Sequence, residues 1–495
     1  MEHVRVRAGD VSPERLDTGF YSRAYFEAQA AIEASGLPTQ TIGSVCEPWQ
    51  FGAYALCSAI VWSDRVDGVP YIKAEALGAM LLEDAGLSFV TRETHELLVK
   101  SRVTSGDVVV STSGTIGLCS VVPAHIAQAN SNQDTIKFSP ASAGYDPYFV
   151  ATWLSSRAGQ VLLKREAGGA VQQHVYLYNF RRVPLLALSF AAQKYIGDKV
   201  RQAERLRERA KDQHTVLMRL LDIPGLAAVR SEVDSRTNRV STADLTARLD
   251  AKYYGAKALR TLRVISADGI ALGTLVEEIS NGFESRTFVE SGTRYVTVGD
   301  VSSGRLTLEN APMIPPSIDV PERARIDSNC ALVVRTGVGI GTAVKVFDED
   351  QGASISSHLI RLKCANEELA AVLGAFLNSE VGLTLQQRMS YGAAQPQIGQ
   401  EELLAVPVPR LLVTRGAAIL AALKIQDAAL RAATRLTRAA IALVESLIDS
   451  RIAESELVRA QALLEAGVRG ADSTLMTRWF PDVDALYALL DADDA

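Results

Sequence analysis

Two hydrophobic periods alternate along this chain, and they do so twice. The stretches 107–111 and 331–335 are short apolar, β-branched runs that end in glycine-rich turns, the pattern of buried strands. A helical stretch follows each, 147–163 and 367–387, then a Gly/Ala/Gln loop, then a short run closed by Pro184 or Pro407. Each cycle ends in a long proline-free helical stretch, about 190–222 and about 417–464. In the first, Ile196, Ala203, Ala210 and Leu217 recur every seven residues, with Val200 and Leu221 on the alternate spacing and Arg207 and His214 interrupting it. In the second, Ala422, Ala429, Leu436 and Leu443 form one row, and Gln426, Ala433, Ala440 and Leu447 the other. A sustained seven-residue repeat is the signature of helices that wind around one another. The fold class expected is α+β: two tandem domains joined by two long antiparallel helices in a coiled-coil-like rod, with pseudo-twofold symmetry. The alternative is that each long helix is amphipathic and packs only on its own domain.

The cycle is a duplication. Arg15-Leu16-Asp17 with Phe20-Tyr21 returns as Arg248-Leu249-Asp250 with Tyr253-Tyr254, at an offset of 250 − 17 = 233. GVPYI at 68–72 returns as GTRYV at 292–296, VVSTSGTIG at 109–117 as VVRTGVGIG at 333–341, and ANSNQDTI at 129–136 as ASISSHLI at 353–360, all at 295 − 71 = 224. GAVQ at 169–172 matches GAAQ at 392–395, and Val183-Pro184 matches Val406-Pro407, at 407 − 184 = 223. Blocks in one order with a slowly drifting offset mark a repeat of roughly 220 to 230 residues. The domains expected are 1–188 and 236–411, with spacer helices 189–235 and 412–465 and a tail 466–495.

Composition narrows the class. With 495 residues, 47% hydrophobic and 22% charged, the chain can fill two cores and is not broadly disordered. No secretory signal opens it and no apolar run is long enough to span a bilayer, so a soluble cytoplasmic protein is expected. Cys46, Cys57, Cys119, Cys330 and Cys364 are scattered, as reduced and mostly buried thiols would be, with neither zinc spacing nor a disulfide frame. The net charge of −6 disfavours a simple electrostatic nucleic-acid binder, although a local basic surface outweighs the sum. An acidic DNA reader would need partners that supply phosphate contacts.

The duplicated motifs resemble those of the specificity subunits of type I restriction-modification systems. The elements that carry the resemblance are 15–21, 106–117, 169–175 and 183–184, and in the second copy 248–254, 331–341, 392–398 and 406–409. The first copy departs at Gln173-His174 and lacks the second exit proline. The resemblance covers about 15 to 464. It implies two target-recognition domains, each reading one half of a split, asymmetric DNA site in the major groove, and helices that set the separation. It also implies two methyltransferase (modification) subunits and motor-nuclease (restriction) subunits as partners. No cofactor is implied in this chain, S-adenosylmethionine being expected in the methyltransferase.

Base edges are read by Arg, Asn, Gln, Ser and Thr on loops, while Lys, Arg and hydroxyls meet phosphates. The candidates are Trp49, Gln50, Tyr54, Lys73, Ser111, Thr112, Gln172, Gln173, His174 and Tyr176 in the first copy. In the second they are Asn281, Arg286, Arg294, Arg335, Thr336, Gln395 and Gln397. Arg335 aligns with Ser111, as expected if the heads read different bases; equally, both residues would serve to close a turn. Gln172 and Gln395 would also suit loop bracing, and Trp49 a core position. The basic stretch 201–211 is interleaved with Glu204 and Glu208 and reads as a solvated ion-pair face.

Catalysis is not expected. Gly337-x-Gly339-x-Gly341 is followed by a strand-like run rather than the helix a phosphate site needs. Methyltransferase, P-loop and histidine-metal motifs do not occur. Two other classes stay open: a two-headed adaptor in another phage-defence assembly, and a divergent nuclease.

Overall fold

The computed structural model describes residues 5–6, 11–12, 15, 17–51, 54–169, 172–226, 229, 237–242, 245–248, 250–301, 304–337, 339–392 and 396–492. It divides into two compact units, Met1–Arg209 with Ala429–Ala495, and Ala210–Ala428.

In the first unit the run 107–111 becomes the strand Val108–Ser111, buried on both faces, which explains its unbroken apolar character. It lies between Cys119–Val121 and Thr135–Phe138, both antiparallel to it, and Ala79–Leu81 completes that sheet in parallel. A second four-stranded sheet orders Ser88–Val90, Val69–Ile72, Gln128–Ser131 and Arg102–Thr104. In the second unit Cys330–Val334 sits between Ala343–Lys345 and Leu359–Lys363, repeating that antiparallel trio. The parallel pair Tyr71 with Asn130 likewise repeats as Tyr295 with Ser354, again at 224.

Each helical stretch that follows the strands is broken once. Pro147–Ser155 and Arg157–Arg165 are separated by Ser156, and Glu367–Asn378 and Glu380–Met389 by Ser379; each serine caps the second helix by accepting from a glycine N–H. Those glycines cannot be replaced: a Cβ on Gly159 would lie 2.0 Å from the Trp153 carbonyl, and one on Gly382 2.1 Å from that of Phe376. Among the described residues no single helix is long and apolar enough to cross a membrane. The pair Glu367–Asn378 and Glu380–Met389 passes that test only as a bent pair, and most of its residues are buried in the core of its own unit. Of the cysteines, Cys119, Cys330 and Cys364 are buried and all five are free thiols.

The first repeated block is a brace. The Asp17 carboxylate accepts from Arg15 Nε at 2.7 Å and the Phe20 N–H at 3.0 Å, while the Tyr21 hydroxyl donates to the Arg15 carbonyl. Arg15 reaches the Ala167 carbonyl at 2.7 Å, and Phe20 lies under both Arg15 and Arg165. Arg248, Asp250, Tyr253, Tyr254 and Arg388 repeat these contacts, with Arg248 holding the Met389 and Ser390 carbonyls.

The long helices run Phe190–Leu220 and Gly416–Ile448. Their repeat is visible in burial: Ile196, Val200, Ala203, Ala210 and Leu217 in one, and Ala422, Ala429, Ala433, Leu436, Ala440, Leu443 and Leu447 in the other. Leu206 is buried where the row would place Arg207, which turns outward to Glu83. The second spacer, expected as one helix to 464, stops at Ile448. Ser450 takes a left-handed conformation there, and a separate helix, Glu454–Glu465, begins after it. The tail expected at 466–495 contains the helices Gly470–Met476 and Val483–Asp491 and docks on its own unit. There the fully buried Lys199 ammonium and the Tyr195 and Tyr487 hydroxyls all donate to Asp472. These partners hold the Asp472 carboxyl below its ordinary range although burial alone would raise it.

Two predictions follow from buried charge. Asp472→Ala leaves Lys199 without its counter-ion and should cost about 3–5 kcal/mol in urea unfolding, or release the tail to limited proteolysis. Lys137 is buried with no hydrogen-bond partner among the described residues, and burial pushes its amine from 10.5 down to about 7. Arg361, at the same place in the second copy, is instead held by Glu278, Ser280 and two carbonyls. Between about pH 7 and 10.5 the unfolded chain binds a proton that the folded chain does not. Stability should therefore rise with pH across that window, and Lys137→Met should flatten the rise.

Candidate nucleic-acid interface

The glycine-rich turn after each central strand meets the open end of a short hairpin. In the first unit the Val175 N–H donates to the Thr112 carbonyl at 3.0 Å, and the Thr112 N–H to that of Asp134 at 2.8 Å. This ties together three segments: the turn, the 132–134 loop, and the hairpin of Ala167–Gly168 with His174–Val175. In the second unit Ile398 donates to the Arg335 carbonyl at 3.1 Å and Arg335 to that of His358 at 2.9 Å, while Tyr391 and Gln397 pair as the hairpin. Glycine closes both turns with a left-handed backbone, Gly117 at φ 92° and Gly341 at φ 88°. A helix glutamine then locks each: Gln160 donates to the Gly117 and Leu154 carbonyls, Gln386 to those of Gly341 and Leu377.

These bonds correct the alignment of Arg335 with Ser111. Ser111 bonds across the turn to Leu118 and Gly117, the pattern that Val334 makes with Thr342 and Gly341. Arg335 therefore occupies the place of Thr112, because the second turn has one more residue between strand and glycine. Ser111 is buried and its hydroxyl is spent inside the turn, donating to the Thr115 carbonyl at 2.6 Å and accepting from Leu118 at 2.9 Å. It closes the turn and does not present itself to a ligand. Thr112 is buried as well, with its hydroxyl unpartnered.

Each corner carries one further side-chain pair that the sequence reading passed over. Ser113 donates to Asp134 Oδ1 at 2.8 Å, and Asn132 to Oδ2 at 3.2 Å. The corresponding pair is Thr336 Oγ1 and His358 Nδ1, 2.7 Å apart, with His358 exposed. The signal was in the repeat itself: Asp134 and His358 align at 224 but differ in chemistry.

Around the first corner Gln172 and Gln173 are exposed at the hairpin tip. His174, Tyr176 and Tyr178 form a ring ladder, His174 edge-on to Tyr176 at 5.1 Å and Tyr176 stacked on Tyr178 at 5.8 Å. Tyr176 and Tyr178 are 46% and 61% exposed, and Tyr178 was not among the candidates. Partial burial lowers the His174 imidazole below its ordinary value, with Asp134 opposing. Around the second corner Gln397 lies 3.5 Å from the Arg335 guanidinium, and Tyr391 is exposed. Gln395 lies outside the described residues.

The remaining candidates separate from the corners. Trp49 packs on the core and pairs with Lys137 through the backbone, and Gln50 follows it half-buried. Lys73 sits over the exposed Trp62 ring at 4.4 Å. Arg294 turns its Nη1 to the Glu309 and Ala311 carbonyls at 3.3 and 3.2 Å. Arg286 is exposed beside Glu284, in an exposed stretch with Phe288. Asn281 lies in the strand Glu278–Asn281 with its side-chain oxygen buried and unpartnered. Tyr54 opens a short 3-10 helix, Tyr54–Ala59, and its side chain is outside the description.

The architecture defines a class first: a tandemly duplicated α+β protein that presents the same loop corner in each unit, with different polar groups in each. Solved structures similar to the chain are type I restriction-modification proteins. The S subunit of a type I system from M. genitalium matches with 11% identity and a TM-score of 0.44, covering 83% of this chain and 95% of that one. The HsdS subunit from Thermoanaerobacter tengcongensis matches at 16% identity and 0.28, covering 84% and 97%. A chain from a study of complex assembly and conformational transition of the type I R-M system matches at 15% and 0.29, covering 84% and 99%. No protein-family model and no curated protein matches the chain.

Removing the Ser111 hydroxyl leaves the Thr115 carbonyl and the Leu118 N–H unpaired inside the turn. Ser111→Ala should destabilise the chain by about 1–3 kcal/mol in urea unfolding, while Tyr178→Ser, on the exposed ladder, should stay within about 0.5 kcal/mol of the parent.

Proposed function

We propose that this chain is the non-catalytic DNA-specificity subunit of a type I restriction-modification complex, reading a split, asymmetric site in double-stranded DNA. The observation that carries the reading is the duplicated corner. Its backbone hydrogen bonds are the same in both units, whereas its side chains change from Asp134 held by Ser113 to the exposed His358 held by the buried Thr336, with the half-buried Arg335 beside them. A reader of two unlike half-sites has to hold its backbone and vary its polar tips. Exposed glutamines and tyrosines beside the first corner suit the same task.

Separation is the task of the long helices. Each unit contains part of both. Phe190–Leu220 has 31 residues, about 46 Å at roughly 1.5 Å per residue, longer than one DNA turn of about 34–36 Å. The methyltransferase subunits, with their S-adenosylmethionine, and the motor-nuclease subunits would supply the chemistry and many of the phosphate contacts that a chain of net charge −6 lacks.

The full chain co-purified with its methyltransferase should select one asymmetric split sequence from a random duplex library. It should bind that sequence at least about 1,000-fold tighter than unrelated DNA at physiological salt. Equal binding of unrelated sequences would overturn the reading.

A further inference from the structure

The geometry points to a division of hydrogen-bond polarity between the two corners: Asp134 takes the exocyclic amino group of a cytosine or adenine, and Arg335 takes the acceptor edge of a guanine. This rests on the DNA-reading proposal above and adds which class of base edge each corner recognises.

Asp134 is a half-buried carboxylate to which no lysine or arginine pairs among the described residues. Its oxygens are oriented by the Ser113 hydroxyl and the Asn132 amide, and its carbonyl is pinned by the Thr112 N–H. Each carboxylate oxygen can accept a second hydrogen bond. Nearby, Asn132 Oδ1 is a buried acceptor without a partner among the described residues, as is the Thr112 hydroxyl, which can also donate. The charged group at this corner is thus an acceptor with capacity to spare, the Asp134 carboxylate. Phosphates repel such a group, and the donors that DNA offers in the major groove are the amino groups of cytosine and adenine.

The second corner is the reverse. Arg335 takes the place of Thr112, and among the described residues its side-chain contact is the long 3.5 Å approach to Gln397, which leaves most of its donors unspent there. His358 replaces Asp134, removing the negative charge, and is held through Nδ1 by Thr336. A planar guanidinium with free donors fits the two acceptors of guanine, O6 and N7. The backbone scaffold is common to both corners, so the contrast lies in the side chains.

The test uses the full chain in complex with its methyltransferase, with binding sites selected from a random duplex library. Wild type, Asp134→Asn, Ser113→Ala and Arg335→Lys are compared, and melting temperatures confirm that each variant folds. Asp134→Asn keeps the shape and the Ser113 contact but loses the charge. It should relax the preference at one position of one half-site, where the wild type selects cytosine or adenine, by about 5- to 150-fold, leaving the other half unchanged. Ser113→Ala should relax the same position less. Arg335→Lys should relax a guanine in the other half alone. If Asp134→Asn selects the parental sequence, or weakens all sequences equally, the assignment is overturned. A wild-type complex that selects no sequence instead fails the DNA-reading proposal itself, and a selective wild type with an indifferent Asp134→Asn fails the polarity assignment alone.

Discussion

A loop that is to read a ligand must leave its side chains outward while its backbone is satisfied inward. Here one short chain of backbone hydrogen bonds meets that requirement. Val175 bonds to Thr112, and Thr112 to Asp134; in the second copy Ile398 bonds to Arg335, and Arg335 to His358. The turn carbonyl accepts the hairpin amide and the loop carbonyl accepts the turn amide, and a helix glutamine braces each turn from behind, so the corner does not depend on its outermost side chains. The tips are released from structural duty, and this is why they can differ between copies while the corner stays the same.

The rest of each unit keeps that corner in register. The left-handed glycines at 117 and 341 turn the chain, and a helix glutamine reaches their carbonyls from outside the turn. Gln160 and Gln386 are not equivalent in sequence, since 386 − 160 = 226 against an offset of 223 for the serines that break the helices. The bond was kept while the residue that makes it moved by most of a helical turn. At the N-terminal side the Arg–Asp–aromatic brace grips the end of the second helix in each copy, repeated down to the stacking of arginine on the aromatic ring.

The duplication is not complete. Asp472 draws the tail helices onto the first long helix through Lys199 and Tyr195, whereas the positions 223 further on, 418 and 422, are alanines and offer no such anchor. Likewise Lys137 is unpartnered where Arg361 is fully bonded. Each copy has thus settled its own packing around a common frame.

The sequence by itself determined the duplication, the α+β class, the extent of the first long helix and the order of motifs, because these depend on periodicity and on glycines and prolines that act locally. It also placed Thr112, His174, Arg335, Thr336 and Gln397 among the candidates. Tertiary structure alone decided which of those share a corner, that Ser111 is consumed by its own turn, and that Arg294 turns its Nη1 to two carbonyls. It alone revealed the Ser113–Asp134 and Thr336–His358 pairs, and that the one extra residue in the second turn puts Arg335 opposite Thr112. Those outcomes depend on which carbonyl each amide reaches across segments 22 to 63 residues apart, and a turn one residue longer shifts such partners without changing the pattern of apolar positions around it.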